Sequence, residues 1–249
     1  MARRTTGAPV ADTISLLATP AALIGGLVLV AAQIGHSLAI ALAIEAARPS
    51  GNYGLVGLAA ISGVIVLFLV FGAVQFMLAR RLGGSYGTAG TPGIASWISL
   101  VIFYFLANQL VSFLTPMVLN GAGLPASAVP VLRAAVSFAV RLLFFPVIVY
   151  MSALAHDGEA CDFPDIISFL AKRGISWLVA YLALSLVLAG GLLAFTALTP
   201  HPSGESQGHG QAIVLSLFVA IGQLLSILFA IATYRAARAS RDEDGPRLF

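Results

Sequence analysis

The chain has 249 residues, of which 59% are hydrophobic and only 9% are Asp, Glu, Lys or Arg. So few polar side chains cannot cover a soluble domain of this size, and the composition therefore excludes a soluble globular protein and indicates a membrane protein. The net charge of +3 does not indicate a nucleic-acid-binding protein, because the basic residues lie between apolar stretches, and the single cysteine, Cys161, excludes an intrachain disulfide and a zinc site built on a cysteine pair.

The N-terminal segment, residues 1–20, is predicted to be cytoplasmic or interfacial, with a short helix that Asp12 caps and that ends at Thr19. The apolar run after Pro20 is longer than the core of a secretory signal, which has roughly 7–15 residues, and is interpreted as a retained crossing. Small residues recur at every fourth position of this first crossing and predict that another helix packs closely against it; they are Ala31, Gly35, Ala39, Ala43 and Ala47.

Six apolar stretches are long enough to cross a bilayer, which takes about 20 residues for a helix. They assign residues 21–234 to a transmembrane domain. Before the fifth crossing, residues 163–174 carry apolar side chains at helical spacing, which predicts an amphipathic helix on the cytoplasmic surface. The charged residues 235–249 predict a mobile cytoplasmic tail. The predicted fold class is all-α, a bundle of six transmembrane helices at about 21–47, 54–79, 94–119, 131–155, 175–198 and 212–234.

The basic residues indicate how the chain is threaded. With six crossings, the side that holds both termini carries ten of the thirteen basic residues, and the opposite side carries Arg48 and Arg133. By the positive-inside rule, both termini are expected to be cytoplasmic. The abundance of Ala and Gly favours a bacterial source, so the expected location is the inner membrane. The ten residues are Arg3, Arg4, Arg80, Arg81, Lys172, Arg173, Arg235, Arg238, Arg241 and Arg247.

Arg141 is the remaining basic residue, and it lies near the middle of the fourth crossing. If the helix enters the bilayer near Pro130, Arg141 lies about 16 Å deep. A charge at the bilayer centre costs roughly 2.5–3.5 kcal/mol, so its side chain should face the bundle interior or a wet cavity. Five polar residues of other crossings have a similar predicted depth and could form one layer with Arg141; they are Gln33, His36, Asn108, Gln109 and Gln223.

Two interpretations of this polar layer stay open. In the structural one, hydrogen bonds between the helices fix their registry and contribute roughly 0.6–2 kcal/mol each. In the functional one, Arg141 lacks an ionic partner, because the nearest acid on a crossing, Glu45, is about 13 Å further along the axis than His36. Arg141 could then bind an anionic solute, a lipid phosphate or a carboxylate of another subunit. His36 is either a proton relay or a neutral histidine bonded to a neighbouring amide.

The sequence lacks the motifs HExxH and GxSxG, the phosphate-binding loop and the dinucleotide fingerprint, so we assign no catalytic residue and expect no enzyme activity. Potential metal ligands between His156 and Asp162 have a spacing that matches no metal site, and we expect no metal or cofactor. The leading hypothesis is a non-catalytic membrane subunit, scaffold or lipid-associated component. The alternative is a small transporter or channel for an anionic solute that uses Arg141. The expected partners are the bilayer, an anionic lipid or solute, and a second copy or another membrane subunit.

Overall fold

The computed structural model describes residues 9–49, 51–84, 91–122, 128–158, 162–172, 174–198 and 205–243. Within these ranges the regular structure is entirely helical, and five helices, α2, α3, α4, α7 and α8, are long and apolar enough to cross a membrane. The predicted all-helical class is therefore confirmed for the described residues, and the five long apolar helices are compatible with a multi-pass membrane protein. The described residues form eight helices, which are α1 (Pro9–Leu17), α2 (Pro20–Ala47), α3 (Gly54–Leu82), α4 (Ile94–Gly121), α5 (Ala128–Asp157), α6 (Phe163–Lys172), α7 (Ile175–Leu198) and α8 (Glu205–Glu243).

The junction between α1 and α2 is set by Thr19. Its hydroxyl donates to the Leu16 carbonyl at 2.6 Å, and the same oxygen accepts from the Ala22 amide at 3.3 Å. Pro20 then occupies the first position of α2, where its missing amide hydrogen costs nothing. The predicted cap at Asp12 is wrong, because α1 already begins at Pro9 and Asp12 lies in its first turn.

Helix α8 is the centre of the packing. It contacts α1, α2, α3, α5, α6 and α7. Five consecutive residues of α8, from Ile227 to Ile231, are buried, which requires neighbours on every face of the helix. Helix α5 contacts α3, α4, α6, α7 and α8 and completes the core near Phe145 and Ile148. Its described side chains form the shorter apolar stretch Leu142–Asp157.

The small-residue stripe of α2 does not pack within the chain at three of its five positions. Ala31, Gly35 and Ala39 are exposed, and a Cβ added at Gly35 would meet no atom within 4 Å. Helix α2 approaches α3 closely on another of its faces, where Gly25 lies against Val74 and Leu78. No helix of the described chain packs on these three positions, and a close contact there stays a prediction. A uniformly apolar helix carries no signal of which face meets protein and which meets lipid.

The last helix is longer than predicted at both ends. It begins at Glu205 rather than at residue 212, and it continues through Glu243 rather than ending at residue 234. The predicted mobile tail is therefore wrong for residues 235–243, where Ala and Arg favour the helix and Arg238 contacts α5. A helix is also present in the predicted amphipathic segment, where α6 buries Ile166, Phe169 and Leu170.

Candidate binding cavity and polar contacts

Two members of the predicted polar layer meet in the structure. The Nε2 amide of Gln33 on α2 donates to Oε1 of Gln223 on α8 at 3.2 Å. About one turn further along α2, the hydroxyls of Ser37 and Ser216 are 2.6 Å apart. These two contacts connect the antiparallel helices α2 and α8. Because a polar group in hydrocarbon needs a partner, they hold the two helices in register.

The other polar residues of the layer lie apart from this pair. Asn108 is half-buried, and its Nδ2 donates to the Tyr104 carbonyl of the same helix at 2.7 Å. Gln109 is exposed. His36 turns towards α3, where its ring packs on Gly63, and its Nδ1 is buried without a hydrogen-bond partner in the described part of the chain. No role in binding follows from these positions alone, and the predicted site stays a prediction.

The side chain of Arg141 lies outside the described residues. Its backbone belongs to α5, one turn before Phe144 and Phe145 on the same helix face. The ring of Phe144 contacts Tyr104 edge-on at 5.7 Å, and the ring of Phe145 stacks on Tyr181 at 4.2 Å. Position 141 is therefore one turn from two phenylalanines that contact Tyr104 and Tyr181, and both tyrosines line a cavity.

This cavity has a volume of about 170 Å³ and lies between α3, α4, α7 and α8. Phe71, Asn108 and Gln223 come from near the middle of the apolar parts of their helices, so the cavity is at the level of the predicted polar layer. Its described lining consists of aromatic, small and uncharged polar residues, namely Phe71, Tyr104, Asn108, Tyr181, Val219, Gly222, Gln223 and Ser226.

Aromatic rings keep these helices apart and leave the space between them open. Helix α4 meets α3 through ring pairs, with Phe68 and Phe105 at 4.6 Å and Phe71 and Tyr104 at 5.7 Å between centroids. Such large side chains hold two backbones further apart than small residues do. On the opposite side Tyr181 is buried against Phe145, so its ring cannot swing across and fill the gap.

Two polar atoms of the cavity lining have no hydrogen-bond partner among the described residues. Gln223 uses Oε1 to accept from Gln33, which leaves its Nε2 as a donor. Asn108 uses Nδ2 to donate to its own helix, which leaves its Oδ1 as an acceptor. Tyr181 donates to Ser226 at 3.3 Å, and Ser226 donates to the Gly222 carbonyl at 2.8 Å. Gln223 Nε2 is thus a donor, and Asn108 Oδ1 an acceptor, without a partner in the described lining, which carries no charge at neutral pH.

A second polar cluster links α3, α4 and α5 beside the core. Gln75 is completely buried; its Nε2 donates to the Ser152 hydroxyl at 3.1 Å, and its Oε1 accepts from the Trp97 indole at 2.7 Å. Ser152 in turn donates to the Ile148 carbonyl at 3.0 Å. Gln75 is not among the predicted site residues, although a lone amide in an apolar stretch signals a partner on another helix.

A third cluster, here called the clasp, consists of His156, Asp157, Tyr234 and Arg238 and joins the ends of α5 and α8. One carboxylate oxygen of Asp157 accepts from His156 Nδ1 at 2.8 Å and from Arg238 Nη1 at 3.0 Å. The other oxygen accepts from the Tyr234 hydroxyl. The His156 residue is only 2% exposed, and its hydrogen bond to this carboxylate fixes the orientation of its ring. The predicted fourth crossing ends at about residue 155, whereas α5 continues to Asp157, so both residues belong to the end of this helix.

The end of α3 closes over the clasp. Arg80 donates to the His156 carbonyl at 3.3 Å. A Cβ added at Gly83 would lie 2.6 Å from His156 Cδ2, so only glycine leaves room for the ring there. The described residues contain no group of three His, Cys, Asp or Glu side chains that could hold a metal ion. The clasp and these contacts from the end of α3 together join the ends of α3, α5 and α8.

Comparisons of the chain with protein-family models, with curated proteins and with solved structures found no match. The described residues form a mid-bundle cavity with an uncharged lining, polar contacts that hold the surrounding helices, and the clasp at one end of the bundle.

Proposed function

We propose that the protein crosses a bacterial inner membrane six times, with α5 as the crossing additional to α2, α3, α4, α7 and α8. The length of α5 supports this, because its 30 residues extend about 45 Å and the hydrocarbon core is about 30 Å thick. Both termini then lie in the cytoplasm. Arg80, which contacts the His156 carbonyl, and Arg238 of the clasp both lie at the same end of the bundle, and they support this orientation because basic residues gather on the cytoplasmic side.

We infer that the protein is a non-catalytic membrane component that works by holding a ligand, a lipid or a partner chain. The observation that carries this inference is the cavity, whose described lining of amides, hydroxyls and aromatic rings can bind but presents no acid or base that is charged at neutral pH. The paired amides of Gln33 and Gln223 beside it support a binding role, because they keep the cavity walls in one arrangement.

A second candidate is a transporter or channel for an anionic solute that uses Arg141. The position of residue 141, one turn from the phenylalanines that back the cavity walls, favours it. In this case the arginine would attract the anion and the cavity would form part of its route.

Native mass spectrometry of the protein, extracted gently with its lipid, tests the first function. The wild type is expected to retain an anionic lipid or a partner chain that Arg141→Met loses. Arg133→Met is the matched control, because Arg133 lies on the same helix near its predicted outer end and should leave the retained mass unchanged.

Uptake of a radiolabelled anion into proteoliposomes tests the second function with the same three proteins. Arg141-dependent uptake with an unchanged set of retained molecules would replace the binding role by transport. If Arg141→Met changes neither the retained mass nor the uptake, both candidate functions are wrong.

A further inference from the structure

We propose that the cavity between α3, α4, α7 and α8 binds a small uncharged aromatic molecule that carries a carboxamide or an equivalent donor and acceptor pair. This inference rests on the cavity itself and holds whether or not Arg141 binds a lipid. It goes beyond the proposed function because it names the chemical class of the ligand.

The size of the cavity sets the size of the ligand. Its volume of about 170 Å³ is similar to that of a cavity of about 150 Å³ that holds one benzene molecule. A single ring with one small substituent fits this volume.

The rings in the walls favour a flat ligand. Phe71 and Tyr104 lie nearly parallel, with an interplanar angle of 18° and centroids 5.7 Å apart, and Tyr181 lies across from α4 on α7. Aromatic rings attract one another in offset-stacked and edge-to-face arrangements, which an aliphatic molecule of the same volume cannot reproduce.

The unused polar atoms define the substituent. Gln223 Nε2 can donate to a ligand carbonyl, and Asn108 Oδ1 can accept from a ligand N–H. A carboxamide supplies both partners in one group. A carboxylate cannot donate to Asn108, and its charge would be buried among described wall residues that offer no opposite charge.

Binding of 4-fluorobenzamide to the full chain in lipid nanodiscs, followed by fluorine NMR, tests the proposal. The signal should broaden saturably and should recover when unlabelled benzamide is added, which separates a site from partition into lipid. Two probes of the same shape serve as controls. Both 4-fluorobenzoate, which is charged, and 4-fluorotoluene, which lacks the amide, should bind about tenfold more weakly or not at all, since one hydrogen bond can change an affinity by about that factor.

Two substitutions locate the binding. Gln223→Leu removes the donor and should weaken binding of 4-fluorobenzamide about tenfold. Val219→Phe leaves every polar contact in place but fills the cavity, so binding should be lost. Val187→Phe is the matched control, because Val187 is 72% exposed on the outer face of α7, and it should bind like the wild type.

Three results would overturn the proposal. They are the absence of saturable broadening in the wild type, equal binding by Val219→Phe and the wild type, and a preference for 4-fluorobenzoate that Arg141→Met abolishes. The last result would identify an anion site. Failure of the proposed function is distinguishable, because the molecules retained in native mass spectrometry depend on Arg141 and not on Val219.

Discussion

Asp157 is a carboxylate whose surroundings give it a defined structural role. Its two oxygens accept from three side chains that belong to two helices, His156, Tyr234 and Arg238. The side chain of Asp157 is only 14% exposed and that of Arg238 is 34% exposed, so water screens this ion pair less than a pair on an open surface. The carboxylate therefore stabilises the α5–α8 junction.

Replacing this carboxylate should destabilise the protein. In Asp157→Asn the charge is lost and the amide cannot accept from all three donors, which should cost about 1–3 kcal/mol and lower the apparent unfolding temperature by about 2–10 °C. Differential scanning fluorimetry on Trp97 and Trp177 in detergent measures the shift.

Asp165→Asn provides the matched control for this substitution. Asp165 pairs with Arg241 at 3.9 Å, and their side chains are 40% and 59% exposed, so the exchange should change stability by less than about 1 kcal/mol. Equal shifts for Asp157→Asn and Asp165→Asn would show that the clasp does not stabilise the fold.

The contact between α2 and α3 depends on a glycine. A Cβ added at Gly63 would lie 1.8 Å from His36 Nδ1 and 2.5 Å from His36 Cε1. Two non-bonded atoms cannot lie that close together. Gly63→Ala must therefore displace the histidine ring or move the two helices apart. We expect this variant to lose about 1–3 kcal/mol of stability, seen as a lower unfolding temperature.

The chain offers a control on the same helix. Gly57 faces open space, so Gly57→Ala should keep or raise the stability, because Ala favours the helix by up to about 1 kcal/mol. The double variant Gly63→Ala with His36→Ala removes the ring that clashes and should regain part of the loss. If Gly63→Ala is as stable as Gly57→Ala, the packing of His36 on Gly63 is wrong.

The sequence predicted where helices occur better than it predicted how they pack. Pro20 marked the start of α2 within one residue, because a proline acts on the local backbone, whereas the capping role of Thr19 was not predicted. The stripe at Ala31, Gly35 and Ala39 did not identify the face of α2 that packs on α3, since lipid and protein interior are equally apolar.

The candidate site was predictable only in part, for a related reason. Matching the depths of antiparallel helices placed Gln33 and Gln223 in one layer, and the structure joins them. The cavity could not be predicted, because it depends on how far Phe71 and Tyr104 hold two backbones apart. Asp157 and Tyr234 meet through the pairing of two distant helices, which no spacing along the chain reveals.

The threading of the whole molecule has a direct test at α5. In a Cys161→Ser background, cysteines introduced at the exposed positions Ala122 and Ala171 lie on either side of this helix along the chain. If α5 crosses the membrane, a maleimide that cannot pass the inner membrane should label Ala122→Cys in intact cells. It should label Ala171→Cys only after the cells are permeabilised.

The pattern of labelling separates the possible arrangements. Labelling of both positions in intact cells would mean that α5 does not cross. Labelling of Ala171→Cys alone would reverse the orientation that the positive-inside rule predicts.

The length of α8 has a mechanical consequence. This helix runs from Glu205 to Glu243 without a proline, and it carries Gln223 at the cavity and Arg238 in the clasp, about 22 Å apart along one axis. Helix α5 likewise connects Phe145, whose ring stacks on the lining residue Tyr181, with Asp157 of the clasp. The two helices are therefore joined at one end by the clasp. A rigid-body rotation that separated these charged ends would also tilt α8 where it lines the cavity.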